Sequence, residues 1–189
     1  MKGCDQSPWS KDDTTPHTHT LYKAPTRMMN ITGLVHNPDP TFRYRMPSIQ
    51  TKIEGRGNGI RTVVSNITDV ADALDRPPEL ILRFFGFELG TQATWEDGPD
   101  TEPKGHVNGV HTPASLQSAL ARFQELLVLC SKCRLPETIL GVRKGVVRQT
   151  CAACGLRAPV GEHRILTRIQ HMAAVALTSA SKRSTTEAS

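Results

Sequence analysis

The sequence predicts an α+β protein: a small mixed α/β domain followed by a four-cysteine zinc ribbon. Three observations carry that expectation. A glycine-rich stretch, residues 55–59, separates two segments of strand-like character. Leu116, Leu120, Phe123, Leu127 and Cys130 recur at helical spacing. Two Cys-x-x-Cys pairs, Cys130/Cys133 and Cys151/Cys154, are separated by 17 residues. The whole is 189 residues, room for one domain or two small ones. No apolar run approaches the ~20 residues of a membrane helix.

In chain order, residues 1–36 read as a polar, flexible extension. Pro8, Pro16 and Pro25 punctuate it, and it shows no apolar periodicity and no hydrophobic core of a signal peptide. That predicts a protein that is neither secreted nor membrane-bound, with a cytoplasmic location. His17 and His19 lie in this tract, where histidines usually hold no metal. The α/β domain is expected over residues 37–128, the ribbon over 129–172 and a Ser/Thr-rich tail over 173–189.

Residues 48–54 alternate loosely and predict a strand. Residues 55–59, Gly-Arg-Gly-Asn-Gly, tolerate positive φ and predict the turn, and residues 60–64 are β-branched enough to return as the second arm. Arg56 and Asn58 then stand at the tip of a hairpin and Arg61 on its return strand. Asn66 or Thr68 can cap a helix in which Ile67, Val70, Ala71 and Leu74 share a face. Arg76-Pro77-Pro78 breaks it, and the second proline suits the first turn of a new helix over residues 79–87, which Gly90 could end. Residues 94–105 read as an acidic, proline-bearing loop, residues 106–111 as a short strand and residues 114–129 as the clearest helix.

The cysteines form the strongest chemical signal. Two knuckles on facing turns put four thiolates around one tetrahedral zinc, and residues 138–142 and 146–150 supply the ribbon strands. Disulfides or a thioredoxin-type redox pair are the weaker readings, given this spacing and the lack of a secretion signal. With Cys130, Cys133, Cys151 and Cys154 all coordinating, no site stays open, so the zinc is expected to be structural. Cys4 stands alone in the extension.

The net charge of +5 is unevenly placed. Residues 43–61 hold Arg43, Arg45, Lys52, Arg56 and Arg61 against Glu54 alone, and residues 121–171 carry nine Lys/Arg against three Asp/Glu. Two basic units, one of them a ribbon, point to a polyanionic partner such as nucleic acid. Residues 55–62 superficially resemble a phosphate-binding loop, but Ile60 and Arg61 stand where the pattern needs Gly-Lys. No Ser/His/Asp arrangement, carboxylate pair or catalytic metal motif stands out, which disfavours a self-contained enzyme.

Six stretches carry a family resemblance: FRYRMP at 42–47, KIEGRGNGIRT at 52–62, ALDRPP at 73–78, FFGFELGTQ at 84–92, VNGVH at 107–111 and CSKCRLPET at 130–138. In this order they closely resemble the N-terminal part of the eukaryotic translation initiation factor 5 family, from about residue 29 to about 166. The resemblance implies an α/β domain plus zinc ribbon acting as GTPase-activating protein for initiation factor 2, with its γ and β subunits and GTP. The setting it implies is the small ribosomal subunit, beside initiator tRNA, the mRNA start codon and other initiation factors. It implies Arg43 as an arginine finger, with Arg61 and Arg83 supporting it where the family has lysines. It further implies that Lys52, Gly55, Arg56 and Asn58 approach initiator tRNA.

The chain departs from the family's pattern in an extension before Met29 and a longer, more acidic stretch at 94–105. It departs again in a changed order at His163-Arg164-Ile165 and in ending at Ser189, before the family's C-terminal helical-repeat domain. Two other functions compete. The β subunit of initiation factor 2 shares this core as a structural, tRNA-binding subunit, but should lack the Arg43 stretch and the GRGNG tip. A zinc-ribbon transcription factor would leave residues 42–92 unexplained.

Overall fold

A computed structural model of the chain describes residues 27–35, 39–98, 101–143 and 146–160. The expected tail at 173–189, most of the N-terminal extension and the His163-Arg164-Ile165 segment lie outside the described residues.

The described part of the extension differs from expectation, because it contains a strand. β1 (Met28–Asn30) pairs antiparallel with β2 (Arg45–Pro47), Met29 opposite Met46. Strands this short carry no periodicity of their own, and tertiary contacts fix them. Ile31 and Met46 are buried, and the Ile31 amide donates to the Tyr44 carbonyl at 2.9 Å. The buried Gln124 side chain accepts from the Gly33 amide at 3.0 Å and donates to Met46 Sδ at 3.0 Å.

The predicted hairpin forms. β3 (Thr51–Glu54) and β4 (Arg61–Val64) pair with Glu54 opposite Arg61, around a single 3-10 turn at Gly57–Gly59. The expected loop at 94–105 is a correction. It folds as β5 (Ala93–Gly98) and β6 (Thr101–Asn108), completing an antiparallel sheet of order β3-β4-β6-β5. Proline and acidic residues argued for a loop, but the pairing accommodates them. The register shifts between Glu96 and Gly98, and Pro103 falls in that irregularity, where no ladder amide is required. Along the regular part Ala93, Trp95, Gly105 and Val107 face inward, an alternation that composition alone obscured.

Two helices lie against the inner face, and a third packs on the second of them. α1 (Ile67–Leu74) buries Ile67, Val70, Ala71 and Leu74, as their spacing predicts. Asn66 holds the cap position, yet its side chain does not cap. It accepts from the Gln50 amide at 2.9 Å and donates to the Ser48 carbonyl at 2.8 Å, tying the strand entry to the helix start. α2 (Pro78–Glu88) starts on Pro78 and gives way to Gly90 at φ +66°. Leu82 of α2 lies over Gly105 so closely that a Cβ there would come within 2.3 Å of its methyl carbon. α3 (Pro113–Leu127) is capped by the Thr112 hydroxyl, which accepts from the Ser115 amide at 3.2 Å. Phe84 of α2 and Phe123 of α3 meet edge to face at 5.3 Å, in the middle of the core.

β7 (Thr138–Arg143), β8 (Val146–Cys151) and β9 (Arg157–Pro159) form a three-stranded antiparallel sheet; the third strand lay beyond the sequence-level expectation. One buried arginine fastens this sheet to the end of α3. Arg76 donates to the Leu127 carbonyl at 3.1 and 3.0 Å, to the Thr138 carbonyl at 2.9 Å, to the Thr138 hydroxyl at 2.8 Å and to the Asp75 carbonyl at 2.6 Å. Burial lowers its pKa to about 10, which leaves the guanidinium charged at neutral pH. Asp75 reaches φ +52° at the end of α1, the turn that points Arg76 inward.

Candidate functional site

The four cysteines converge. Their sulfurs all lie within 4.8 Å of one another, with Cys130 to Cys154 and Cys133 to Cys151 each at 3.6 Å. Four thiolates about 2.3 Å from one tetrahedral metal would sit about 3.8 Å apart, so the spacing fits such an ion. Two similar turns make the set. In the first, the Cys130 amide donates to the Leu135 carbonyl and the Arg134 amide to the Cys130 carbonyl, both at 3.0 Å. In the second, the Cys151 amide donates to Leu156 at 2.9 Å and the Gly155 amide to Cys151 at 3.0 Å. Both turns need a left-handed residue: Gly155 at φ +71° in one and Arg134 at φ +62° in the other. Arg134 holds this costly conformation while its guanidinium bonds both carboxylate oxygens of Glu125.

Thiols this close cannot ionise independently. Burial raises Cys130, but the amides of Cys133 and Lys132 outweigh it and bring its pKa to about 6. The Leu135 amide favours thiolate at Cys133, yet burial and the neighbouring sulfurs push it to about 12. A divalent cation relieves that opposition by placing one positive centre among all four sulfurs and offsetting two of their four charges. Every direction of such a tetrahedron is taken by sulfur, so the arrangement suits holding a fold together rather than activating water.

The hairpin tip forms the second feature. Gly55, Arg56 and Asn58 are exposed around the 3-10 turn, and Gly55 adopts φ +92°. A Cβ on Gly55 would lie 2.1 Å from the Gly59 carbonyl oxygen, so this position closes the loop only as glycine. A second loop braces the tip. The Gly109 amide donates to Ile60 at 2.9 Å, and Thr62 Oγ1 donates to the Gly109 carbonyl at 2.7 Å while accepting from the His111 amide at 3.0 Å. Between the two loops lies an open cleft of about 520 Å³ lined by Gly57–Arg61, His106, Asn108, Gly109 and Val110. On the sheet's outer face Glu54 lies 3.2 Å from Lys52 Nζ and 3.7 Å from Arg61, and its carboxyl is held below the ordinary range chiefly by Lys52. One carboxylate facing two cations leaves this edge net positive.

Arg43 is elsewhere. It is exposed just before β2, with its guanidinium 5.5 Å from the Tyr44 ring centroid. The Tyr44 hydroxyl donates to Glu137, which lies between the first knuckle and β7, so the Arg43 segment is fastened to the ribbon. That hydrogen bond raises the Tyr44 pKa above the ordinary phenol value. Arg83 sits on the exposed side of α2, 2.5 Å from Glu79 one turn earlier. Thus Lys52, Arg61 and the glycine-rich tip come together on one hairpin. Arg43 and Arg83 stand on separate elements, and no hydrogen bond or ion pair among the described residues joins them to it. Sequence reading missed Tyr44, Glu137 and Arg76 as positioning groups, since nothing in a single sequence signals contacts so far apart along the chain.

Comparison with known proteins agrees with this architecture. The family profile described as a domain found in initiation factors 2B and 5 matches residues 35–157. The chain is 47% identical to eukaryotic translation initiation factor 5 of Saccharomyces cerevisiae over 134 residues, covering 70% of this chain and 32% of that protein. It is 45% identical over 130 residues to the probable factor 5 of Schizosaccharomyces pombe, covering 67% and 32%. Against factor 5 of Mus musculus it is 42% identical over 130 residues, covering 68% and 30%. The chain thus spans about a third of the length of the curated relatives it matches. Among the described residues no helix is long and apolar enough to cross a membrane. An α/β core, a four-sulfur ribbon and identity running through both place this chain in the family of that shared domain, in the group of eukaryotic translation initiation factor 5.

Proposed function

We propose that this chain acts in cytoplasmic translation initiation as a GTPase-activating module for initiation factor 2 on the small ribosomal subunit, where start-codon recognition is coupled to GTP hydrolysis. The observation that carries the reading is Arg43. It is an exposed arginine in a stretch that resembles the family's finger segment, and Tyr44 beside it is anchored through Glu137 to a second structural unit. An arginine supplied in trans neutralises charge building on the transferred phosphate, and for other GTPases is worth about 10³–10⁵ in rate. Arg61 and Arg83, on other elements, add positive charge toward the same nucleotide. Both are already paired with carboxylates, so they act after exchanging those partners.

Four cysteines at this separation fit zinc as a structural ion, since an all-sulfur tetrahedral set suits that metal. The basic hairpin tip suits phosphate positioning rather than base reading, with Lys52, Gly55, Arg56 and Asn58 facing initiator tRNA near the start codon. The γ and β subunits of initiation factor 2, mRNA and other initiation factors complete the partners. The division into residues 37–128 and 129–172 belongs to the same proposal. The family profile is not confined to factor 5, which keeps a structural tRNA-binding role as the competing reading. A reconstituted complex of initiation factor 2, GTP, initiator tRNA and small subunits separates them. Adding this chain accelerates GTP hydrolysis under our reading and leaves the rate unchanged under the other.

A further inference from the structure

The ribbon's outward face has a pattern that neither the metal nor the proposed GTPase chemistry uses. Antiparallel pairing sets Arg143 opposite Val146, Gly141 opposite Arg148 and Ile139 opposite Thr150; on the other side Arg148 faces Pro159 and Thr150 faces Arg157. Residues directly opposite share a face, and so do residues two apart on one strand. Arg143, Arg148 and Arg157 therefore lie on one face, one per strand, along a diagonal whose neighbouring positions are about 7–8 Å apart. All three are exposed. The opposite face is the buried one, holding Thr138, Leu140, Val147, Gln149 and Cys151.

Apolar groups flank the diagonal on both sides. Ile139 is 63% exposed on one side, and Val146, 43% exposed, stands with Pro159 on the other. Gly141 beside Arg148 carries no side chain, and a Cβ there would meet nothing within 4 Å, so the sheet backbone is open to close approach. Among the described residues, no carboxylate is paired with these charges: no ion pair joins Arg143, Arg148 or Arg157 to any acid. Glu137 is the only acid between residues 130 and 160, and it is engaged by the Tyr44 hydroxyl. A diagonal of single-sign charge would repel itself without a partner, and at this spacing the partner that fits is a linear polyanion.

We propose that this face binds an RNA strand, its phosphates running along Arg143, Arg148 and Arg157 and its sugars and bases resting on Ile139, Val146 and Pro159. Guanidinium groups suit phosphate oxygens, and the apolar flanks suit the non-ionic parts of a nucleotide, which an acidic peptide would leave unused. This site is separate from the hairpin tip. It is assayed without initiation factor 2 or GTP, so its failure and that of the GTPase reading are distinguishable.

The test is fluorescence anisotropy of a short labelled mixed-sequence RNA with the full chain, over a series of KCl concentrations. Each phosphate contact to a single strand contributes about 0.7 to the slope of log affinity against log salt, so Arg143→Ala/Arg148→Ala/Arg157→Ala should flatten it by about 2 and weaken binding about tenfold or more at moderate salt. Arg148→Ala alone should flatten it by about 0.7, which keeps the test decisive if the triple variant folds poorly. The triple lysine variant should retain the slope, and Arg122→Ala, removing an exposed arginine paired with Glu88 on other elements, should change neither quantity. An unchanged slope in the alanine variants overturns the proposal. So does tighter binding of the wild-type chain to anionic phospholipid vesicles or to polyglutamate than to RNA.

Discussion

Gly55 and Gly57 both hold positive φ in the same loop, yet only one is sterically confined. The Cβ of an alanine at 55 would strike the Gly59 carbonyl, whereas one at 57 would meet nothing within 4 Å. Gly57→Ala should cost about 1–2 kcal/mol, the left-handed penalty alone. Gly55→Ala should cost more and change the tip's shape, seen as a lower urea midpoint and altered amide shifts at residues 55–61. Arg76 carries a different load. Replacing it by Met strips the Leu127 and Thr138 carbonyls of their partner, and each buried acceptor left unsatisfied costs about 1–3 kcal/mol. Urea unfolding of Arg76→Met should show that loss, and Arg76→Lys should recover only part, since an ammonium lacks the guanidinium's fork. At Tyr44 the linkage is to pH. Its phenol pKa is raised in the fold because the protonated hydroxyl donates a hydrogen bond to Glu137, and ionisation would set a phenolate against that carboxylate. The folded chain therefore keeps a proton that the unfolded chain loses, so this contact's stabilisation is full below the ordinary tyrosine range and fades as pH rises through the raised value. Ultraviolet titration should show one of the two tyrosines ionising late, and Glu137→Gln should bring it back toward the ordinary value.

At the scale of elements, legibility followed the range of the interactions. The ribbon could be read directly, because the spacing of Cys130, Cys133, Cys151 and Cys154 alone announces that the four converge, and the β3–β4 hairpin announced itself through its glycines. The helices α1 and α3 were legible from the spacing of Ile67, Val70, Leu74 and of Leu116, Leu120, Phe123. The β5–β6 hairpin was hidden because Pro103 and the acidic residues mimic a loop, and only the shifted register explains how they are tolerated. Strands β1 and β2 were hidden because three residues cannot show a period; Gln124 of α3 holds Met46 and the Gly33 amide instead. Within the ribbon, Arg134 takes the left-handed role that Gly155 plays in the other knuckle, and its strain is compensated by Glu125. The metal prediction belongs here too. Metal analysis of the purified chain should find close to one zinc per molecule, and Cys151→Ser or a strong chelator should remove it and unfold the ribbon.

For the whole molecule, the consequential feature is that two units are fastened at two points rather than strung together. Arg76 ties the α1–α2 turn to Leu127 and Thr138, and Tyr44 ties the β2 entry to Glu137. Arg43 stands beside the second tie, so the ribbon helps to set where the proposed finger is presented. The measurement that bears most directly on this account is the rate of GTP hydrolysis by initiation factor 2 in the reconstituted small-subunit complex with wild-type chain, Arg43→Ala and Arg43→Lys. The account predicts acceleration by wild type, a loss of about 10²-fold or more with Arg43→Ala at unchanged fold and zinc content, and poor rescue by lysine. Stimulation by Arg43→Ala equal to wild type would contradict it.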